Sequence, residues 1–147
     1  MRAFLRRLLG GGWAEADDLA QDTFLSAWTS LRALRDPASL RVWLYGIAWR
    51  KAQDRIRSSL RDATRDAAWL ETVDLPAGVS PEEKLVLASA MAELPPGVRA
   101  CIALCLADGW SHGEAATALG LPLGTVKSHV SRGRARLLKA LGESDDA

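Results

Sequence analysis

Residues 120–141 read GLPLGTVKSHVSRGRARLLKAL, a stretch that carries five basic residues and no acidic one. Pro122 and Gly124 stand where a helix can begin. Four apolar residues then recur at helical spacing: Val126, Val130, Leu137 and Leu141. This spacing predicts a helix that buries one stripe and turns its basic side chains outward.

An alanine-rich segment directly precedes this basic stretch. Residues 111–120 read SHGEAATALG, which predicts a short helix ending at Gly120. Two short helices joined by a glycine turn, the second one basic, are the pattern of a helix-turn-helix. The simpler alternative is a solvated amphipathic helix at a chain end. The preceding helix and the glycine turn favour the helix-turn-helix.

The composition describes a globular protein whose charge is unevenly distributed. The chain has 147 residues, 48% hydrophobic and 25% charged, which is enough for one ordinary domain or two small ones. Residues 1–60 carry ten basic and six acidic residues, residues 61–93 three and seven, and residues 94–147 six and five. Two basic modules around an acidic connector suit a protein that binds a polyanion.

The sequence gives no support for a membrane or secreted protein, a metal site or an enzyme. The chain has neither an apolar run of ~18 residues nor a secretory signal, so we expect a cytoplasmic protein. Cys101 and Cys105 lie four apart in an apolar run with too few neighbouring ligands for a metal, and we expect buried, reduced thiols. With no nucleophile–base pair and no glycine-rich phosphate loop, we expect no enzyme activity and no cofactor.

Residues 14–31 predict a helix with two stripes. One stripe is mostly apolar and should be buried: Ala16, Ala20, Phe24, Ala27, Trp28 and Leu31. The other is polar with one leucine: Asp18, Gln21, Asp22 and Leu25. The polar stripe is either a solvated surface or a docking face for a basic partner, and composition alone favours the solvated surface.

Residues 40–59 predict a long helix, with Ser39 as its N-cap. It interleaves Trp43, Tyr45 and Trp49 with five basic residues. Aromatic rings can stack on exposed bases at ~1–3 kcal/mol each while cations follow the phosphates, as single-stranded nucleic acid requires. The aromatic residues could equally belong to the core, and the pattern leaves both interpretations open.

The remaining segments complete an all-α prediction. Residues 61–80 lose periodicity and are interpreted as a linker. Ser80 and Glu83 form a capping box at the start of a helix over residues 81–93, and residues 98–107 form an apolar helix. Residues 142–147 are an acidic tail that we expect to fray. The predicted fold is two small helical domains, residues 1–60 and 81–141, the second a helix-turn-helix.

Four motifs then resemble one family. They are DDLAQDTFLSAW at residues 17–28, WLYGIA at 43–48, LPP at 94–96 and GTVKS at 124–128. Their order and spacing resemble the bacterial RNA polymerase sigma factors of the extracytoplasmic-function type, which keep only the second and fourth conserved sigma regions. GTVKS alone also resembles other bacterial regulators. The two blocks joined by a variable linker are specific, and they cover nearly everything except the linker and the tail.

The resemblance implies a non-enzymatic protein with macromolecular partners. Residues 1–60 would be sigma region 2 and residues 81–141 sigma region 4. The implied partners are core RNA polymerase, through its beta-prime clamp helices and beta flap, promoter DNA, and an anti-sigma factor as negative control. No insertion into a membrane is implied.

The resemblance also assigns roles to residues of this sequence. The residues matching the segment that binds the beta-prime clamp helices are Asp18, Gln21, Asp22 and Leu25. Those matching the part that recognises and melts the minus-ten promoter element are Trp43, Tyr45, Trp49, Arg50, Lys51, Arg55 and Arg57. Base-edge and nearby phosphate contacts to the minus-thirty-five element would come from Thr125, Lys127, Ser128, Ser131 and Arg132. Arg134 and Arg136 would hold phosphates.

The chain departs from the family pattern in three places. It begins inside what is normally the first helix of region 2, so Met1 is expected to continue a longer helix. Arg50 stands where the family often has asparagine, which should shift the base preference. Ser111-His112 replaces the more usual Ser-Tyr.

Two other functions remain as alternatives. A stand-alone helix-turn-helix regulator would bind DNA without polymerase, and it would leave the Asp18–Leu25 stripe without a role. A shortened sigma-like decoy would titrate an anti-sigma factor, which the short first helix favours. The sequence does not specify the promoter, the inducing signal or the anti-sigma partner.

Overall fold

Seven α-helices make up the described part of the chain, which in the computed structural model is residues 1–10, 12–59 and 78–145. They are α1 (Arg2–Leu9), α2 (Trp13–Thr29), α3 (Leu40–Ser59), α4 (Pro81–Glu93), α5 (Pro96–Ile102), α6 (His112–Leu119) and α7 (Leu123–Asp145). No strand occurs in these ranges, and the all-α prediction is confirmed. Most of the predicted linker, residues 61–77, lies outside the described residues.

Local hydrogen bonds explain where several helices begin and end. The Glu83 N–H donates to Ser80 Oγ at 3.2 Å while the Ser80 N–H donates to the Glu83 carboxylate at 2.9 Å. Ser111 and Glu114 form the same reciprocal pair at the start of α6. Gly120 ends α6 with φ at 66°, a left-handed conformation that glycine adopts without strain. The capping box predicted for α4 is confirmed.

Three predicted boundaries need correction. The segment before α3 is itself a 3₁₀ turn: Asp36 accepts from the Ala38 N–H at 3.0 Å and starts the turn over Pro37–Ser39, which leads directly into α3 at Leu40. The apolar helix predicted from residue 98 begins at Pro96 and continues as a π-helical turn over Ala103–Ala107. Helix α7 runs past residue 141 to Asp145, since one glycine costs a helix only about 1 kcal/mol.

Helix α2 buries its small residues and exposes its large ones. Ala16, Ala20 and Ala27 are buried, as predicted, together with Leu19 and Thr23. The large members of the predicted stripe are instead exposed: Phe24 by 50%, Trp28 by 78% and Leu31 by 46%. At about 100° per residue, Trp28 lies roughly 120° from the centre of the buried stripe. Alanines on the inner face allow α1 and α3 to approach closely, and the larger side chains project outward.

One hydrophobic core joins the two halves of the chain. Its members come from α1, α2 and α3 and also from α5, α6, α7 and the π-helical turn, among them Phe4, Leu5, Leu8, Leu19, Ala48, Trp49, Ala52, Cys101, Leu104, Trp110, Ala115 and Val126. A second, smaller cluster holds α5 against α4 and α7 through Leu94, Val98 and Ile102. The helices of the two predicted modules are therefore present, and side chains from both modules are buried together in one core.

Polar contacts cross the same boundary. The Arg99 guanidinium of α5 donates to the Leu8 carbonyl of α1 at 2.7 Å and to the Leu94 carbonyl at 2.9 Å. Burial lowers the pKa of Arg99, which has no carboxylate partner among the described contacts. Arg7 lies 3.3 Å from the Asp108 carboxylate. These contacts tie the C-terminal end of α1 to α5 and to the turn that follows it.

Candidate polymerase and nucleic-acid interfaces

The exposed face of α2 carries the predicted docking residues. Asp18, Gln21, Asp22 and Leu25 are all exposed, Leu25 by 60%. Neighbouring Asp17 pairs with Arg2, whereas Asp18 and Asp22 make no ion pair within the described ranges. Two carboxylates beside an exposed leucine form a surface suited to a partner with basic and apolar side chains.

Trp28 extends this surface, and reasoning from the sequence missed it. It lies one helical turn beyond Leu25 and two beyond Gln21, and it is the most exposed large hydrophobic residue described. We call Asp18, Gln21, Asp22, Leu25 and Trp28 the docking surface. Clustered exposed apolar residues mark interaction sites, and the signal was present in the sequence as an aromatic residue flanking the acidic stripe.

The predicted aromatic residues of α3 are less accessible than expected. Trp49 is only 5% exposed and packs in the shared core, so its prediction as a base-stacking residue is wrong for this arrangement. Tyr45 is half-buried, with its ring centroid 4.8 Å from that of Trp110 and 5.3 Å from that of Phe4. Trp43 is half-buried as well. Trp49 is therefore a core residue, which was the other interpretation of the sequence pattern. Tyr45 packs between a residue of the first module, Phe4, and one of the second, Trp110.

The basic residues of α3 divide into exposed and engaged groups. Arg50 and Arg57 are exposed, and Lys51 is half-buried. Arg55 lies 3.8 Å from the Glu15 carboxylate of α2 and is partly covered. Arg50 and Arg57 are thus the basic side chains of this predicted set that stand open to a phosphate backbone.

Close packing fixes the position of α7. Val126 and Val130 are buried, as predicted, and Leu137 and Leu141 are half-buried. At Gly133 an added Cβ would lie 2.6 Å from Ile102 Cγ1, so α5 and α7 cross at a distance that only glycine permits. The inward stripe predicted for the basic helix is confirmed.

The outer side of α7 presents the predicted nucleic-acid residues. Lys127, Ser131, Arg132, Arg134 and Arg136 are exposed, while Thr125 and Ser128 are half-buried near the start of the helix. None of these arginines and lysines pairs with an acid among the residues described. Helix α7 is thus packed on its inner side and exposes unpaired basic and hydroxyl side chains on its outer side. A helix exposed in this way can enter a DNA major groove.

A cleft of about 260 Å³ separates the start of α5 from α7. His129, Arg132 and Arg136 line it on one side, and Pro95 and Gly97 on the other. The stems of the two arginines therefore rest beside α5 while their charged ends stay exposed.

The cysteines are free thiols in apolar surroundings. Cys101 is fully buried, and burial, with a smaller contribution from Cys105, raises its pKa to about 12. Cys105 is half-buried, and burial raises its pKa as well. No group of three or more metal-ligating side chains is found in the described part of the chain. Within the same residues, no helix is long and apolar enough to cross a membrane.

A helix-turn-helix with an exposed basic second helix, linked to a helical module with an acidic and apolar docking surface, defines a DNA-binding protein that also engages a protein partner. Two family models match the chain: Sigma-70 region 2 over residues 1–62, and Sigma-70 region 4 over residues 84–137. The chain belongs to the extracytoplasmic-function RNA polymerase sigma factors, which direct promoter-specific transcription.

Relatives of known family support this assignment. The chain is 33% identical over 144 residues to the RNA polymerase sigma factor CnrH of Cupriavidus metallidurans, covering 89% of this chain and 75% of CnrH. It is 35% identical over 142 residues to SigM of Mycobacterium tuberculosis, covering 94% and 70%. With SigE of Mycolicibacterium smegmatis the identity is 32% over 138 residues, and the chain spans about half of that protein, 52%.

Two solved structures share the fold. The sigma factor RpoE of Bartonella quintana, in complex with the anti-sigma factor NepR, matches with a TM-score of 0.75 at 31% identity, over 96% of this chain and 89% of RpoE. CnrH in complex with the cytosolic domain of CnrY matches with a TM-score of 0.70 at 34% identity, over 98% and 81%.

Proposed function

We propose that the docking surface binds the beta-prime clamp helices of core RNA polymerase. The exposed pair Asp18 and Asp22, beside Leu25 and Trp28, is the observation that carries this proposal. Charge would steer the encounter and the apolar side chains would supply buried area. A stand-alone DNA-binding regulator gives this surface no role. The beta flap would bind the region 4 module.

Helix α7 would read the minus-thirty-five element. Lys127, Ser128, Ser131 and Arg132, with Thr125, would face base edges and nearby phosphates, and Arg134 and Arg136 would hold phosphates. The support is their common exposure on a helix anchored by Val126 and Val130. We keep residues 1–60 and 81–141 as the two functional domains.

Helix α3 would engage the minus-ten element with the side chains that it exposes. Arg50 and Arg57 would contact phosphates, and Lys51 and Trp43 lie half-buried beside them. Tyr45 would join them only after its ring contacts with Trp110 and Phe4 open, and Arg55 only after its contact with Glu15 breaks. Trp49 would act by packing.

The remaining elements of the proposal are regulatory and cellular. The similar sigma factor RpoE was solved in complex with the anti-sigma factor NepR, and we infer an anti-sigma partner for this chain. A factor that works on RNA polymerase acts in the cytoplasm. The chain itself performs no catalysis, because the chemistry belongs to the polymerase.

Run-off transcription with purified core polymerase on a promoter library tests the function. Promoter-dependent transcripts are expected. DNA binding without core polymerase, and no transcripts, would point to a stand-alone regulator. Neither activity, together with tight binding of an anti-sigma factor, would point to a decoy.

A further inference from the structure

The cleft between the start of α5 and α7 gathers positive charge that no described acidic side chain balances. Arg132 and Arg136 lie four residues apart in its α7 wall, and His129 lies one turn before Arg132 in the same wall. Like charges at the spacing of the two arginines repel each other on a helix. Neither arginine makes an ion pair within the described ranges, and none of the described residues that line the cleft is acidic. An anion bound between the two guanidinium groups would remove this repulsion.

His129 is a polar side chain whose hydrogen bonding within the protein is incomplete. Its Nδ1 is buried and has no hydrogen-bond partner among the described residues. Its Nε2 is the atom nearest to a Cβ added at Gly97 on the opposite wall, at 3.7 Å. Buried polar atoms are nearly always hydrogen-bonded, so an exception calls for a functional explanation. With its proton on Nε2, the imidazole is a neutral donor at the wall of the cleft, and Nδ1 carries no hydrogen.

We propose that this cleft is a phosphate-binding site in which His129 Nε2 donates a hydrogen bond and Arg132 and Arg136 supply the charge. Guanidinium groups bind phosphate oxygens through several N–H donors, and the imidazole adds one directed bond. The cleft volume of about 260 Å³ lies below the ~300–1,000 Å³ of pockets that enclose drug-sized molecules. The ligand is therefore a single phosphate group or a short oligophosphate.

This phosphate chemistry has two sources, the promoter backbone and a free oligophosphate, and the position of the cleft favours the backbone. At about 100° per residue, His129 and Arg136 lie roughly 90–110° around α7 from the centre of the residues proposed to face base edges. A helix seated in a major groove turns such a flank towards the phosphates of the strand that bounds the groove. In this form the inference rests on the proposed function, and it places one backbone phosphate between α7 and the start of α5.

The variant His129→Leu tests the site in the whole chain, with His129→Gln as its matched control. Leucine fills a similar space without a donor, whereas the glutamine amide N–H can replace that of Nε2. His129→Leu should weaken binding to a minus-thirty-five duplex about tenfold, equally for matched and mutated sequences, and His129→Gln should restore most of the affinity. The salt dependence should remain that of the wild type, because a neutral donor releases no counterion. Fluorescence anisotropy with labelled duplex at several salt concentrations measures both quantities.

A second variant obstructs the cleft without changing any of the three proposed ligands. Gly97→Leu places a side chain in front of His129 Nε2 from the opposite wall, so it should weaken duplex binding as His129→Leu does. Gly142→Leu is its matched control, because Gly142 is exposed on α7 and an added Cβ there meets nothing within 4 Å. The control variant should bind the duplex like the wild type.

Calorimetric titration with pyrophosphate distinguishes the two sources and does not depend on transcription. Binding that is lost in His129→Leu and in Gly97→Leu would support the site with a free oligophosphate as ligand. Loss of duplex binding in both variants, without pyrophosphate binding to the wild type, would support the site with the promoter backbone as ligand.

Three results would overturn the inference: wild-type binding of both probes by His129→Leu, equal losses in His129→Leu and His129→Gln, or a loss confined to the matched promoter sequence. Run-off transcription reports the proposed function separately. Promoter-dependent transcripts together with any of these three results would reject the phosphate site alone.

Discussion

Asp22 is the residue at which the docking proposal is most directly tested. Asp22→Lys reverses a charge on an exposed face, so the helical circular dichroism signal should not change while affinity for core polymerase should fall more than tenfold. Fluorescence anisotropy with labelled chain and purified core measures this affinity. Glu93→Lys, an exposed charge reversal on α4, is the control. Equal affinities for the two variants would disprove the assignment of the docking surface.

Cys101 predicts a pH dependence of stability. Its pKa is raised from 9.0 to about 12, because burial disfavours the thiolate. The folded state therefore holds a proton that the unfolded chain loses above pH 9, and stability should fall as the pH rises from 9 towards 12.

Urea denaturation of the wild type and of Cys101→Ala between pH 8 and 10 measures this contribution. The wild type should lose more stability across the range than the variant. Iodoacetamide should alkylate Cys101 at pH 8 only in the unfolded chain. Rapid alkylation of Cys101 under native conditions would contradict the buried position.

Individual aromatic residues show how far the sequence could be interpreted. Trp28 and Trp49 both recur at helical spacing with apolar residues around them. The spacing alone does not determine which face of the helix packs against another helix. The buried stripe of α2 is lined by alanines, which leaves Trp28 at the surface. Trp49 is buried because α3 is packed on more than one side, by helices from both modules. Both outcomes depend on neighbours distant in the sequence.

Helix α7 yields two predictions that differ in kind. Lys127→Ala should relax preference for the minus-thirty-five sequence, by ~1–3 kcal/mol if the lysine makes a good base contact. Arg136→Ala should weaken binding to all sequences alike and reduce the salt dependence. Competition binding on matched and mutated promoter duplexes separates the two effects. Exchanged outcomes would mean that α7 presents a different face to the groove.

The crossing of α5 and α7 predicts a specific coupling. Gly133→Ala places a Cβ within 3 Å of two Ile102 atoms, so it should destabilise the fold by ~1–3 kcal/mol despite a better helix propensity. Gly113→Ala on α6, where an added Cβ would lie 4.0 Å from Ser111 Oγ at ordinary van der Waals distance, should instead stabilise by ~0.5–1 kcal/mol.

Combining Gly133→Ala with Ile102→Ala should remove the clash, so the two substitutions should be strongly non-additive in urea denaturation. Simple additivity would show that the helices can move apart without cost.

Helix bounds were predictable where a cap or a proline acts locally. Ser80, Glu83 and Pro81 define the start of α4, and the range of α3 agrees with its prediction. The start of α5 differs from its prediction although Pro96 at its first position is a local signal, and the end of α7 differs because helix propensity continues past Gly142. Asp36 caps the 3₁₀ turn that precedes α3, with Pro37 at the first position of that turn.

At the scale of the whole molecule, the shared core predicts one cooperative unfolding transition. Side chains of both modules are buried against each other, so neither should unfold alone. Circular dichroism and tryptophan fluorescence should give coincident thermal curves for the wild type. At Gly46 of α3 an added Cβ would lie 3.2 Å from the Ala118 carbonyl oxygen of α6, so Gly46→Leu should push the modules apart and separate the curves into two transitions. Two transitions already in the wild type would contradict a shared core.

No pattern in the sequence indicated that the two modules pack against each other. Phe4, Leu8 and Ala115 fit the apolar pattern of their own helices, and that pattern is the same whether a residue packs within a module or between modules. The two modules, the helix-turn-helix and the family were accessible from local motifs. Their mutual packing depends on side chains about 100 residues apart.

The bonds from Arg99 to backbone carbonyls make the contact between the two modules respond weakly to electrolyte. Added potassium or sodium screens the charges of the Arg7–Asp108 and Arg41–Glu114 ion pairs and weakens both. Carbonyl oxygens carry no net charge, so the same salt has little effect on the Arg99 hydrogen bonds or on the apolar core. Affinity for nucleic acid, by contrast, falls steeply with added electrolyte as condensed counterions compete. Osmotic upshift should therefore weaken binding to a promoter while the packing between the two modules persists.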